Sequence, residues 1–125
     1  MKPVLVDTDV LIDFLRGSTA AVNWMDQLQK RPLVSVITVA ELRSGMKGKE
    51  EPALEHLVGA MAVCPIDATI ARMGGDFRRQ YGPSHGTGLA DALIAATAVS
   101  ENAALRTFNV RHFPMLEDVQ EPYRK

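Results

Sequence analysis

Pro3-Val4-Leu5-Val6-Asp7-Thr8-Asp9-Val10-Leu11-Ile12-Asp13 changes its hydrophobic period in the middle. Val4, Leu5 and Val6 form a short apolar run rich in β-branched side chains, which predicts a strand. From Thr8 onward the apolar positions fall at helical spacing, with Val10, Leu11, Phe14 and Leu15 on one face and Gly17 as the stop. A strand that feeds a helix through an acid, Asp7, is the opening half of a βαβ unit.

The same alternation continues outward. A second helix is expected from Thr19, as its cap, to about residue 30, broken by Pro32, and a second strand over residues 33–37. A third helix follows over residues 38–46. Pro52 suits the first turn of a fourth helix, whose face is Leu54, Leu57, Val58 and Met61. Residues 61–66 read as a third strand. Asp67 suits the N-cap of a fifth helix with Ile70, Met73, Gly74, Phe77 and Tyr81 on one face. Gly74 on that face predicts the close approach of another element. Gly82-Pro83-Ser84-His85-Gly86-Thr87-Gly88 lacks periodicity and reads as a loop. Residues 89–99 are helical, residues 104–107 a fourth strand and residues 118–121 a weak fifth. Strands alternating with helices predict an α/β fold, a parallel sheet covered on both faces. In such sheets ligands sit beyond the carboxyl ends of the strands.

The chain of 125 residues, 46% of them hydrophobic, is expected to form a single domain over residues 1–125. Fourteen Lys and Arg against fifteen Asp and Glu give a net charge of −1, so any nucleic-acid contact must be local rather than a general basic coat. The single cysteine, Cys64, excludes an internal disulfide and a cysteine-rich zinc site, and its apolar neighbours predict a buried strand residue. No apolar run is long enough to span a bilayer and the first residues do not form a signal peptide, which predicts a cytoplasmic protein.

Asp7, Glu41 and Asn109 each follow a proposed strand. Asp91 opens a helix that is apolar nearly all round, sharing a face with Ile94, Ala95 and Ala98, so burial is expected there. An unpaired buried carboxylate is costly or takes up a proton. An acid in the first turn of an exposed helix would need no such explanation, because the helix dipole favours it by about 0.3–1 kcal/mol. Asp7 alone also suits a turn or cap, and Glu41 alone a surface position. Asp9 is close enough to Asp7 to assist it, whereas Asp13 reads as a solvated acid paired with Arg16. His56 is expected on an exposed helical face. His85 and His112 could approach the site, but no two histidines have ligand spacing, and Gly86-Thr87-Gly88 is not a phosphate-binding fingerprint.

Converging carboxylates suit Mg²⁺ or Mn²⁺. Magnesium takes few carboxylates directly, so Asp7 and Asp91 are expected as the core ligands, with Glu41 and Asn109 ordering the shell or binding through water. Such a site would hydrolyse a phosphodiester, and without metal its carboxylates should raise one another's pKa.

Residues 6–13, 37–42, 89–98 and 107–113 together resemble the PIN domain, in particular the VapC toxins of toxin–antitoxin pairs, and the resemblance extends to Pro122-Tyr123. It implies a three-layer α/β/α sandwich with a central parallel sheet. It implies an Mg²⁺- or Mn²⁺-dependent endoribonuclease that halts translation, a homodimer, and a cognate VapB-type antitoxin that blocks the site. The family's first three acids map to Asp7, Glu41 and Asp91. Its fourth falls at Asn109, which is neutral, so the site loses one charge and a second metal becomes doubtful. Asp9 stands where similar proteins carry Asn or Ser and can return that charge. Two other readings remain open. Asp7-Thr8-Asp9 also satisfies the start of a haloacid-dehalogenase-like phosphatase, although the later lysine and paired acids are missing. A non-catalytic PIN relative could use the acidic pocket to hold an arginine of a partner.

Overall fold

The computed structural model describes residues 2–125. Five short strands, β1 (Val4–Val6), β2 (Leu33–Ser35), β3 (Ala62–Cys64), β4 (Ala104–Arg106) and β5 (Val119–Gln120), form one sheet in the order β3-β2-β1-β4-β5. Every pairing is parallel, with Leu5 beside Leu33 and beside Leu105. Six α-helices complete the fold: α1 (Thr8–Leu15), α2 (Thr19–Asp26), α3 (Val36–Gly45), α4 (Glu51–Gly59), α5 (Ala68–His85) and α6 (Leu89–Glu101).

The alternation of β1 sorts its side chains between two cores. Val6 packs with Val10, Leu11, Leu42, Leu54 and Leu57 from α1, α3 and α4. Leu5 packs on the opposite face with Ile94, Ala95 and Ala98 of α6, Leu105 and Phe113. The result is the expected three-layer sandwich. Helix α5 lies against α6, where a β-carbon on Gly74 would come within 2.6 Å of Leu93 Cδ2 and 3.3 Å of Leu93 Cα. The close approach expected at Gly74 is therefore real. Cys64 is buried in β3, and His56 is exposed on α4, both as expected.

Several element boundaries differ from the sequence reading, each for a local reason. Val36 and Ile37 look like strand residues but begin α3, because the Ser35 hydroxyl accepts a hydrogen bond from the Ile37 amide at 3.1 Å. Helix α2 is capped by Ser18 rather than Thr19, and ends at Asp26, well before Pro32. The expected loop over residues 82–88 is largely helical, since α5 continues through Pro83 to His85. Proline removes one backbone donor near the helix end, which the helix tolerates there. The stop comes from Gly86, which takes the left-handed conformation (φ 67°) and donates its amide to the Gly82 carbonyl at 3.1 Å.

Candidate active site

The sheet order places the switch in strand direction of winding between β1 and β4, and a crevice at that point is where open parallel sheets bind ligands. Asp7 sits there. It leaves β1 by donating its amide to the Arg106 carbonyl at 3.1 Å, and its side chain caps α1 by accepting from the Thr8 amide at 2.8 Å. The other carboxylate oxygen accepts the Thr107 hydroxyl at 2.7 Å. Asp7 is only 4% exposed. Burial pushes its pKa up from 3.8 to about 7; the hydrogen bonds from Thr107 and Thr8 oppose that rise, while the charges of Asp9 and Asp91 add to it. The expected mutual repulsion of the acids is present, but desolvation is the larger cause.

Asp9 braces the segment that follows β4. Its Oδ2 accepts the Phe108 amide at 2.9 Å and lies 3.4 Å from both the Thr107 hydroxyl and Asn109 Nδ2. Burial raises its pKa as well, against the Phe108 and Val10 amides and the charge of Lys125. The Asn109 amide in turn donates to Thr107 Oγ1 at 3.0 Å. Thus Asp7, Asp9, Thr107 and Asn109 form one connected network across the ends of β1 and β4.

Asp91 comes to the same edge in the first turn of α6, delivered by residues 86–88. Its side chain is 25% exposed rather than fully buried, and it is not unpaired: Oδ2 stands 3.1 Å from His112 Nδ1. Opening the helix at the sheet edge leaves Asp91 partly accessible while Ile94, Ala95 and Ala98, on the same face, remain buried. Glu41 is exposed on α3 and accepts the Thr8 hydroxyl, which also lies 3.0 Å from the buried Thr38 hydroxyl. Glu41 therefore joins Asp7 through its chain neighbour and not by direct contact.

Asp13 departs from expectation. Its main partners are the Tyr123 hydroxyl at 2.8 Å and Lys125 Nζ at 3.1 Å, not Arg16. Burial acts to raise its pKa, but these partners outweigh it and hold the carboxyl below its usual range. Tyr123 also packs edge-on against Phe108, and Lys125 lies over the Phe108 ring. His85 ends α5 against Tyr81 and Ser84. Sequence reasoning singled out neither Thr8 nor Thr107. The parallel register supplies the missing signal for Thr107, because Val6 pairs with Arg106 and the next residues are Asp7 and Thr107.

The donors are oxygens from Asp7, Asp9, Asp91, Glu41 and Asn109, a set suited to a hard divalent cation. A buried carboxyl whose ionisation is opposed by burial and by two neighbouring acids is a group that a cation would compensate, so the residues fit. Among the described residues no three Asp, Glu, His or Cys side chains converge closely enough to hold an ion as they stand.

The PIN domain family model matches residues 4–117. The chain belongs to the PIN-domain family. Among curated relatives, Ribonuclease VapC10 of Mycobacterium tuberculosis is 45% identical, over 96% of this chain and 92% of the relative. Ribonuclease VapC19 of the same organism is 41% identical, over 95% and 98%. A toxin–antitoxin complex from Klebsiella pneumoniae contains a similar chain, with a TM-score of 0.85 and 27% identity over 98% of this chain and 99% of that one. FitAcB from Neisseria gonorrhoeae gives 0.78 and 29%, over 98% and 99%. Membership of the PIN family sets aside the haloacid-dehalogenase-like alternative. Among the described residues no helix is long and apolar enough to cross a membrane.

Proposed function

We propose that this PIN-domain protein is an Mg²⁺- or Mn²⁺-dependent endoribonuclease of the VapC type, the toxin of a toxin–antitoxin pair. The observation that carries the reading is the Asp7 centre: a buried acid at the β1–β4 crevice, poised near neutral pH, with Asp9 and Asp91 close enough to perturb it. Identity of 45% to a ribonuclease over nearly the whole chain supports the substrate class.

Asp7 and Asp91 are the proposed metal ligands, with Glu41 and Asn109 ordering the surrounding water. A bound divalent cation supplies a water of lowered pKa and neutralises charge on the phosphodiester. The chain's own residues prepare that chemistry. Thr107 and Thr8 hydrogen-bond the ionised form of Asp7 and hold its proton affinity below what burial alone would impose. Asp9 fixes the Phe108 amide and so the position of Asn109. Its carboxylate also returns negative charge to the corner where Asn109 is neutral. Thr8 holds Glu41 through its hydroxyl, next to Asp7 in the chain.

The proposed inhibitor is a VapB-type antitoxin, in keeping with the toxin–antitoxin complex of the similar Klebsiella pneumoniae chain. A groove of about 630 Å³ reaches Glu41, with Leu15, Leu42 and Leu54 along it and three cations, Arg16, Lys47 and Lys49, against one further acid, Glu50. Those residues suit an amphipathic segment carrying acidic side chains. A homodimer and a cytoplasmic location complete the reading.

The test uses the partner-free protein and a mixed RNA substrate. Cleavage is expected with Mg²⁺ or Mn²⁺, and its loss is expected in excess chelator and in Asp7→Asn and Asp91→Asn. Full cleavage in chelator, or in both variants, rules the proposal out. Metal binding without any cleavage would favour the non-catalytic PIN alternative.

A further inference from the structure

We infer that His112 is a positioning residue for Asp91: it holds one carboxylate oxygen so that the other faces the crevice. The inference rests on the proposed role of Asp91 as a metal ligand.

His112 ends the 3₁₀ turn Val110–His112, immediately after Asn109. Its Nδ1 lies 3.1 Å from Asp91 Oδ2. A carboxylate oxygen accepts, so Nδ1 carries the hydrogen in this contact. Three features place His112 independently of Asp91, two through its backbone and one through its ring. The His112 amide donates to the Asn109 carbonyl at 2.9 Å. The His112 carbonyl accepts the hydroxyl of Thr87, a side chain only 1% exposed, at 2.7 Å. The ring also lies over Gly86, where a β-carbon would stand 3.7 Å from Nε2. The next residue, Phe113, is fully buried in the core beneath α6.

His112 thus has its backbone anchored between the β4 end of the site and the loop that delivers α6. Its side chain then reaches the one acid that no backbone amide or hydroxyl holds among the described contacts. Asp7 has Thr8 and Thr107, Asp9 has Val10 and Phe108, and Glu41 has Thr8. Asp91 has His112. Carboxylate ligands are commonly oriented by such outer hydrogen bonds, whose loss weakens metal binding about 10–100-fold.

A merely structural histidine would staple the loop without affecting the metal. Three variants of the full chain separate the two roles. His112→Asn keeps a nitrogen donor attached to Cγ, as in the imidazole. His112→Phe keeps a ring over Gly86 but has no donor, and His112→Ala has neither. Mn²⁺ affinity is measured by calorimetry, with thermal melts of the metal-free proteins alongside and RNA cleavage resolved into kcat and KM. The Phe and Ala variants should bind Mn²⁺ about 10–100-fold more weakly, with RNA KM unchanged at saturating metal. The Asn variant should retain most of the affinity. Wild-type affinity in the Phe variant, or equal loss in the Asn and Phe variants, overturns the inference. If Ala fails to fold, the Asn–Phe comparison decides. The two readings fail differently: a wild-type protein that takes up no Mn²⁺ defeats the proposed function, whereas a wild type that binds and cuts beside an unchanged Phe variant defeats only the role of His112.

Discussion

Replacing Asp7 with asparagine should stabilise the metal-free protein at pH 8 while destroying its activity. Asp7 is buried, and its pKa stands at about 7 in the fold against 3.8 for an ordinary aspartate. A carboxyl whose folded-state pKa is raised binds its proton more tightly when folded. Its stabilising contribution is therefore full below about pH 4 and is lost as the pH rises through about 7. At about 1.4 kcal/mol per tenfold change in proton affinity, the loss amounts to about 4 kcal/mol at pH 8. Asparagine avoids that loss but can satisfy only one of the two donors on Asp7, Thr8 N and Thr107 Oγ1, at a cost of about 1 kcal/mol. The net gain is about 3 kcal/mol, or roughly 10 °C in Tm for a domain of this size. Thermal melts in chelator at pH 4 and pH 8 provide the assay. The variant should melt well above the wild type at pH 8 and slightly below it at pH 4. A Tm difference independent of pH, or a variant less stable at pH 8, would refute the argument that burial of Asp7 opposes its ionisation.

Mn²⁺ affinity should climb as the pH rises through about 7, because a proton on Asp7 competes with the ion; a flat calorimetric profile between pH 5.5 and pH 8 would contradict this. Thr107→Val removes the hydroxyl that favours ionised Asp7 and should move that profile upward by about one to two pH units, given about 1.5–3 kcal/mol for a hydrogen bond to a charged group. Gly74→Ala should lower stability by about 1 kcal/mol, because overpacking against Leu93 Cα outweighs the gain in helix propensity; denaturant titration would show a lower midpoint. Tyr123→Phe removes the hydroxyl donated to Asp13 and should lose about 0.5–1.5 kcal/mol in the same titration while retaining RNA cleavage.

Most of the fold was legible because its signals are local. The shift of period at Asp7 marks β1 and α1, Asp67 caps α5 by accepting the Ile70 amide at 2.8 Å, and Gly74 marks the α5–α6 contact. Local signals also misled. Val36 and Ile37 carry strand propensity, but the Ser35 cap decides for helix, and Pro83 is tolerated where only the last turn of α5 depends on it. The partners of the acids were hidden for a different reason. Asp13 meets Tyr123 and Asp91 meets His112 across long stretches of sequence, and such pairs follow from strand register and helix placement, which no window of residues contains. Asp91 appeared to need burial because helical periodicity describes a face but not where along its length the helix emerges at the sheet edge.

The bond between Asp7 and Thr107 joins residues separated by 100 positions. On the ribosome, the acids of β1 and α3 are therefore made long before the strand that orients them. A growing chain that has not yet released residues 104–113 lacks the pairing of β4 with β1, the brace from Asp9 to Phe108 and the contact from His112 to Asp91. Synthesis thus imposes a delay between the appearance of the first acid and assembly of the crevice.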